Sequence, residues 1–449
     1  LPTPASHRTP WRMRLAAGLC AAAQLIVLPV HAQNQLPALG DPASEDFGVA
    51  TERKLGEEIM REIRADPDYL DDPVLLEYLQ SLWNPLVAQA RVRGNITSDI
   101  DQRLAWEPFL VRDKEVNAFA LPGGYVGVNL GLIAMTTTRD ELASVLAHEM
   151  SHITQRHIAR SIANSKRQSL LSLAALLAGI VVASRAGNSS GDAANAAIVG
   201  SQAIAVQGQL NFSRDMEREA DRVGFQVMTG AGFAPGGMAA MFEKMEQSSR
   251  LNDFGGYPYL RSHPLTSERI GEARARLGAA PPALPAGRLE HSAAQARARV
   301  MMDSRFDALR RWQALDTDRV ATTTADKLVN AYESALASTL LRDWTRADAS
   351  IAAATQLARG ASDARAERVV ALLNVQSLLA RGDLTRAHAA LAPYAADASR
   401  PVLLLGAQAA LAGAAPAPSA DNPTLKAQAD QLQTWVATHP GDASAWRML

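Results

Sequence analysis

Residues 138–154 read TRDELASVLAHEMSHIT, and this stretch decides the fold of the first half of the chain. Thr138 stands three positions before Glu141, the spacing of a capping box, and Asp140 and Glu141 put negative charge where a helix dipole favours it. Leu142, Val145, Leu146, Ile153 and Ile158 extend an apolar stripe, so the pattern predicts one long helix from Thr136 through Ile158. On such a helix His148 and His152 are i and i+4. They lie one turn apart on one face, where both imidazoles can bind a single zinc ion. Glu149 sits between them and can act on a water at the metal as general base. Because HExxH fixes only three positions, the cap and the stripe around it carry much of the weight.

A hydrolytic zinc site takes a third protein ligand and leaves one position open. On the predicted helix His157 is nine residues past His148, about 900° of rotation, which turns it to the opposite face. The longer signature with a third histidine needs Gly at 155 and His at 158, where the chain has Gln155 and Ile158. His157 is therefore read as a surface or capping residue. A better candidate lies 65 residues beyond His152, in Glu217-Arg218-Glu219-Ala220-Asp221. On a helix over 213–229, ending at Gly230 and Gly232, Glu217 and Asp221 share a face while Glu219 points elsewhere. Glu217 can ligate the metal, and Asp221 can accept a hydrogen bond from a ligating imidazole or shuttle a proton. A solvated face of mixed charge is the competing reading; the HExxH helix reverses that balance.

Residues 47–92 have helical spacing, as in Leu55, Ile59, Ile63 and Leu75, Leu79, Leu82. Residues 108–134 change character: short β-like runs flank Pro122-Gly123-Gly124 and predict hairpin strands. The run at 170–183, LLSLAALLAGIVVA, is too short to span a bilayer and reads as a packed or flap-like helix. Membrane-surface contact or a re-entrant segment are its alternatives. Residues 279–285 (AAPPALP) mark a boundary, after which the chain is Ala-rich and helical. There Asp343-Trp344-Thr345-Arg346-Ala347 recurs forty residues later as Asp383-Leu384-Thr385-Arg386-Ala387, and Pro440-Gly441-Asp442 opens a segment with Trp446 and Leu449. These features predict tetratricopeptide-like repeats, or a generic array of helical hairpins, in either case a solenoid with a concave surface.

The wider composition sets limits. The chain has 449 residues, 47% hydrophobic and 20% charged, which excludes a wholly disordered chain, a collagen and a coiled-coil rod. With 45 basic and 46 acidic residues it has no basic footprint for nucleic acid. The lone Cys20 excludes an internal disulfide and any cysteine-built zinc site. Arg8, Arg12 and Arg14 precede an apolar run from Leu15 to Val30 and the small-residue site Val30-His31-Ala32, the pattern of an export signal cleaved after about Ala32. A transmembrane anchor is the alternative. Removal of those three arginines shifts the net charge from −1 to −4 and discards Cys20, which suits an oxidising periplasm.

HEMSH, followed by EREAD with Gly224 and preceded by NAFALPGG at 117–124, resembles the HtpX and CAAX-prenyl-protease family of zinc metallopeptidases over about residues 45–280. The resemblance implies an α+β, mostly α chain: a zincin-like metallopeptidase domain with a small sheet, then an α-solenoid of tetratricopeptide-like repeats. The expected organisation is a signal peptide at 1–32, the peptidase domain at 33–280, a Pro/Ala-rich linker and helix at 281–322, and repeats at 323–449. It implies one zinc per chain on His148, His152 and Glu217, Glu149 as base and Asp221 as orienting or proton-donating acid. His263, in Ser262-His263-Pro264-Leu265, is implied as a gate or fourth ligand; an oxyanion donor and a loop-shaping residue are the alternatives. Asn117, Ala118, Phe119 and Ala120 would form an edge strand that pairs with an extended substrate, and 170–183 a plug or lid.

With the export signal and repeat tail, the resemblance implies a periplasmic endopeptidase that degrades misfolded or stalled outer-membrane proteins and gives chaperone-like support to barrel assembly, its repeats docking the assembly machinery. Rival expectations are a non-catalytic repeat adaptor and a membrane-embedded peptidase. Leu1 ahead of Met13, and Leu449 at the seventh position of a new repeat, are read as signs of an incomplete gene product.

Overall fold

Apolar residues recur with helical period from Val49, and the computed structural model forms α1 there (Val49–Arg64), burying Leu55, Ile59, Met60 and Ile63. The structure describes residues 47–164, 212–251, 258–277, 289–318, 320–414 and 422–449. The export signal at 1–32 and the apolar run at 170–183 lie outside them. Among the described residues no helix is long and apolar enough to cross a membrane. The chain divides into two compact units, Leu1–Asp71 with Gln80–Pro285, and Asp72–Leu79 with Ala286–Leu449.

In the first unit the helical spacing over 47–92 is interrupted by a two-residue strand, β1 (Tyr69–Leu70), ahead of α2 (Pro73–Val92) and the short α3 (Ser98–Arg103). Three strands follow: β2 (Glu107–Val111), β3 (Ala118–Leu121) and β4 (Tyr125–Asn129). Pro122-Gly123-Gly124 closes the expected hairpin. Gly123 and Gly124 have φ of 84° and 87°, a region a side chain strains, so the β3–β4 turn needs both glycines. β4 also pairs in parallel with β2, and the order β1-β2-β4-β3 leaves β3 at an edge among the described residues.

After α4 (Leu130–Met135), Thr138 caps α5 (Arg139–Thr154) as its spacing predicts: the Glu141 amide donates to the threonine side chain, and the Thr137 amide donates back to Glu141 Oε2 at 2.8 Å. The predicted single helix to Ile158 is not formed. Arg156 takes φ of 53°, its amide donates to the Ile153 carbonyl, and a new helix, α6 (His157–Asn164), starts after it. This is a left-handed C-terminal cap, a position glycine usually fills. α5 is buried on every side, against β3, β4, α6 and the later helices α7 (Arg214–Gly230) and α8 (Gly236–Leu251). Ser213 caps α7 by accepting from the Met216 amide. A Cβ on Gly224 would lie 3.0 Å from the Ala147 carbonyl oxygen and 3.1 Å from the His148 nitrogen, so glycine lets α7 approach α5 this closely and a larger residue would push the helices apart by a few tenths of an ångström. α9 (Pro258–Ser262) and α10 (Ser267–Leu277) complete the unit. The α+β, mostly α class is as expected.

The second unit is helical: α11 (Leu289–Met302), α12 (Phe306–Gln313), α13 (Thr324–Leu340), α14 (Trp344–Gly360), α15 (Ala364–Ala380), α16 (Leu384–Leu391), α17 (Arg400–Ala414), α18 (Pro423–Thr438) and α19 (Ala443–Met448). Neighbours from α13 to α18 pack in sequence order. Asp343, Asp363 and Asp383 each cap the next helix by accepting from the amide three residues on. The residues before them, Arg342, Ser362 and Gly382, all have positive φ. The forty-residue repeat is therefore two helices long, with Asp363 as an unread midpoint. Ala335, Ala347, Ala354, Ala358 and Ala366 are fully buried, and such small residues let helices pack closely in an aromatic-poor chain. Residues 72–79 group here because Arg297 pairs with Asp72 at 2.6 Å, Arg368 with Glu77 at 2.6 Å, and the Tyr78 hydroxyl with His291 Nδ1 at 2.6 Å.

Candidate metal centre

Three elements converge. α5 supplies His148, Glu149 and His152; α7 supplies Glu217 and Asp221; the loop after α9 supplies His263. All six are buried. One donor atom each from His148, His152, Glu217 and His263 lies within 4.8 Å of the others, a grouping able to hold a metal ion. His148 Nε2 and His152 Nε2 are 3.0 Å apart, and Glu217 reaches them at 3.4 and 3.5 Å.

The proton inventory of this cluster suits a cation. His148 Nδ1 faces Asp221 Oδ1 at 2.9 Å, so the carboxylate keeps a proton on that nitrogen. His152 Nδ1 is engaged by His157 at 2.9 Å. With both outer nitrogens occupied, the two inner lone pairs point at each other, an arrangement that repels unless a positive charge lies between them. The titration of His148 shows the same preference. Burial opposes its charge, yet hydrogen bonds to Asp221 and Glu217 raise its imidazole to about 9. Burial and the His148 charge hold His152 well below the ordinary histidine value. Burial also disfavours the Glu217 carboxylate, but His263 and His148 outweigh it and hold the group well below the usual range. The residues present fit a zinc ion: two imidazoles and one carboxylate, all buried.

Glu149 lies alongside. Its Oε2 accepts from the Ala120 amide of β3 at 3.1 Å, whereas Oε1 makes no hydrogen bond among the described residues and has His263 Nε2 at 3.5 Å. Burial pushes its carboxyl pKa up despite the nearby histidines. A carboxylate with one free oxygen and a raised pKa is suited to taking a proton. His263 Nδ1 meets Glu217 Oε1 at 3.0 Å and His148 Nε2 at 3.3 Å.

Of the expected strand residues, Ala118, Phe119 and Ala120 belong to β3. Asn117 precedes it, its carbonyl accepting from the Asn129 amide. His157 is not on the surface, contrary to the sequence reading. It is fully buried between His152 and Glu219, because the α5–α6 break re-aims it. Three other neighbours carried no sequence signal. Arg269 of α10 binds Asp221 with two nitrogens, pairs with Glu217 at 2.9 Å and donates to the Pro264 carbonyl. The Phe212 ring lies tilted with its centroid 4.1 Å from that of His152, and the Tyr259 ring centroid lies 4.8 Å from that of His263.

Residues 79–277 match peptidase family M48. This part of the chain is similar to an M48 peptidase domain. The matched stretch contains every residue of the cluster just described. Over 282 residues the chain is 37% identical to the putative beta-barrel assembly-enhancing protease of Vibrio cholerae, covering 62% of this chain and 55% of the relative. Over 270 residues it is 33% identical to the beta-barrel assembly-enhancing protease of Escherichia coli, covering 59% and 52%. The metalloprotease LoiP of Escherichia coli is 31% identical over 172 residues, or 37% of this chain and 60% of that one. The chain spans about half the length of the assembly-enhancing proteases it matches.

Proposed function

We propose that this chain is a periplasmic zinc endopeptidase, exported by a signal cleaved after about Ala32, that degrades misfolded or stalled outer-membrane proteins. The observation that carries the reading is the convergence of His148 Nε2, His152 Nε2 and Glu217 in a buried site with the free Glu149 oxygen beside it. These three residues would hold one zinc ion, which supplies Lewis acidity toward a peptide carbonyl and lowers the pKa of a water molecule. Glu149 takes the proton of the attacking water and returns it to the leaving amine. Asp221 orients His148 instead of donating a proton. Burial works against its charge, but Arg269 and His148 hold it at about 2, and both of its oxygens are engaged. His263 reaches toward the ligand set from its own loop and closes the site at rest. An extended substrate pairs with the edge strand β3, Ala118 to Ala120, in place of the bond that the Ala120 amide gives to Glu149 at rest.

The printed names of the relatives support a substrate or partner in outer-membrane barrel assembly. The recurring Asp-capped helix pairs support tetratricopeptide-like repeats that dock the assembly machinery and give chaperone-like help without cleavage. The test is zinc content and cleavage of casein and an unfolded outer-membrane protein, wild type beside Glu149→Gln. The variant is expected to keep zinc and lose cleavage. Undiminished cleavage by Glu149→Gln sinks the mechanism, and zinc-free, inactive wild type favours the adaptor reading. Extraction of the mature protein by carbonate rejects a membrane-embedded peptidase.

A further inference from the structure

His157 and Glu219 are not needed to complete the ligand set, yet His157 touches it and Glu219 touches His157. His157 is fully buried, and its two ring nitrogens face His152 Nδ1 at 2.9 Å and Glu219 Oε2 at 3.1 Å. The same glutamate oxygen accepts from Arg160 Nη1 at 2.9 Å. When His152 binds a metal through Nε2, its remaining proton must sit on Nδ1. That N–H then donates to His157 Nδ1, which must be bare. The single proton of a neutral His157 is thereby on Nε2, where it donates to Glu219. Every hydrogen in the chain is assigned, and none is left over.

His148 shows the simpler version: its Nδ1 is held directly by Asp221, itself gripped by Arg269. Among the described residues, His152 Nδ1 meets His157 and no carboxylate. We propose that His157 and Glu219 form an extended buttress for His152, so that both histidine ligands are oriented by an arginine-anchored carboxylate, one directly and one through an inserted imidazole. His157 is a positioning residue: it fixes the ring plane and tautomer of His152. The left-handed cap at Arg156 makes this possible, because a continuous helix would carry His157 to the opposite face.

The proposal rests on the zinc reading above, and its test separates the two. Zinc dissociation constants of the full chain are measured by chelator competition, with the visible spectrum of the cobalt-loaded protein as a second readout. His157→Phe and Glu219→Ala are expected to weaken zinc binding about 10–100-fold and to alter the cobalt spectrum. His157→Asn, whose amide oxygen falls near the lost Nδ1, is expected to restore binding to within about threefold of wild type, the rescue an orienting role requires. Wild-type zinc affinity and an unchanged cobalt spectrum in both His157→Phe and Glu219→Ala would overturn the buttress alone. Failure of His157→Asn to rescue would also overturn it, reducing His157 to a packing role. If His157→Phe does not fold, Glu219→Ala decides, since that side chain is 28% exposed and truncation there is tolerable. A wild-type chain that takes up no zinc removes the metal reading and this inference together.

Discussion

Arg269 grips Asp221 with two nitrogens, Nε on Oδ2 at 2.7 Å and Nη2 on Oδ1 at 2.8 Å, while Nη1 lies 2.9 Å from Glu217 and from the Pro264 carbonyl. One buried guanidinium thus ties α7 to the loop that carries His263. Removing it leaves two buried carboxylates without their cation. Arg269→Met is expected to cost about 3–5 kcal/mol in urea unfolding. Arg269→Lys should recover little, because a point charge cannot bridge this fork of acceptors.

His263 occupies space between Glu217 and the free oxygen of Glu149. Its removal opens the site and frees the base. His263→Ala is expected to raise the rate of casein cleavage at equal zinc loading. An unchanged rate together with unchanged zinc affinity would reduce the residue to shaping its loop.

The close approach at Gly224 sets how far Glu217 and Asp221 stand from His148. Alanine favours a helix by about 1 kcal/mol over glycine, but its Cβ meets the backbone of buried α5, which must shift by a few tenths of an ångström to admit it. Gly224→Ala is expected to lose about 1–3 kcal/mol in thermal unfolding through overpacking, and to weaken zinc binding. Greater stability with normal zinc binding would refute the steric account.

In the helical unit Glu333 is fully buried with Arg299 at 3.4 Å, and burial raises its carboxyl from 4.5 to about 7. The native state then holds the proton more tightly than the unfolded chain does. Stability attributable to this group falls as pH rises from about 4.5 to about 7 and stays low above that. Glu333→Gln should match wild type below pH 4.5 and exceed it by about 1–3 kcal/mol at pH 8. Equal unfolding curves for the two proteins at pH 8 would refute this.

Much of the centre was legible in sequence because the relevant spacings are local. HExxH and ExxxD each place two side chains on one helical face whatever the surrounding fold, and the Thr138 and Ser213 caps fix where those helices start. The Pro122-Gly123-Gly124 turn is equally local, since its backbone angles exclude side chains. His157 departs from its helical expectation for a physical reason: α5 stops at Thr154 and does not continue through residues 155 and 156. An arginine holding a left-handed angle at a helix end carries no composition signal, since its conformation is imposed by packing.

Residue identity and short-range geometry determined which histidines and carboxylates share a helix face, the hairpin turn and the capped helix pairs. Tertiary structure alone decided that α7 packs against α5 through Gly224, that Arg269 joins Asp221 and Glu217, that His157 backs His152, and that residues 72–79 group with the helical unit. Each of these is a contact between segments tens to hundreds of residues apart, set by burial and charge pairing. Sequence period reports which face a side chain takes, while only packing selects the partner that face meets.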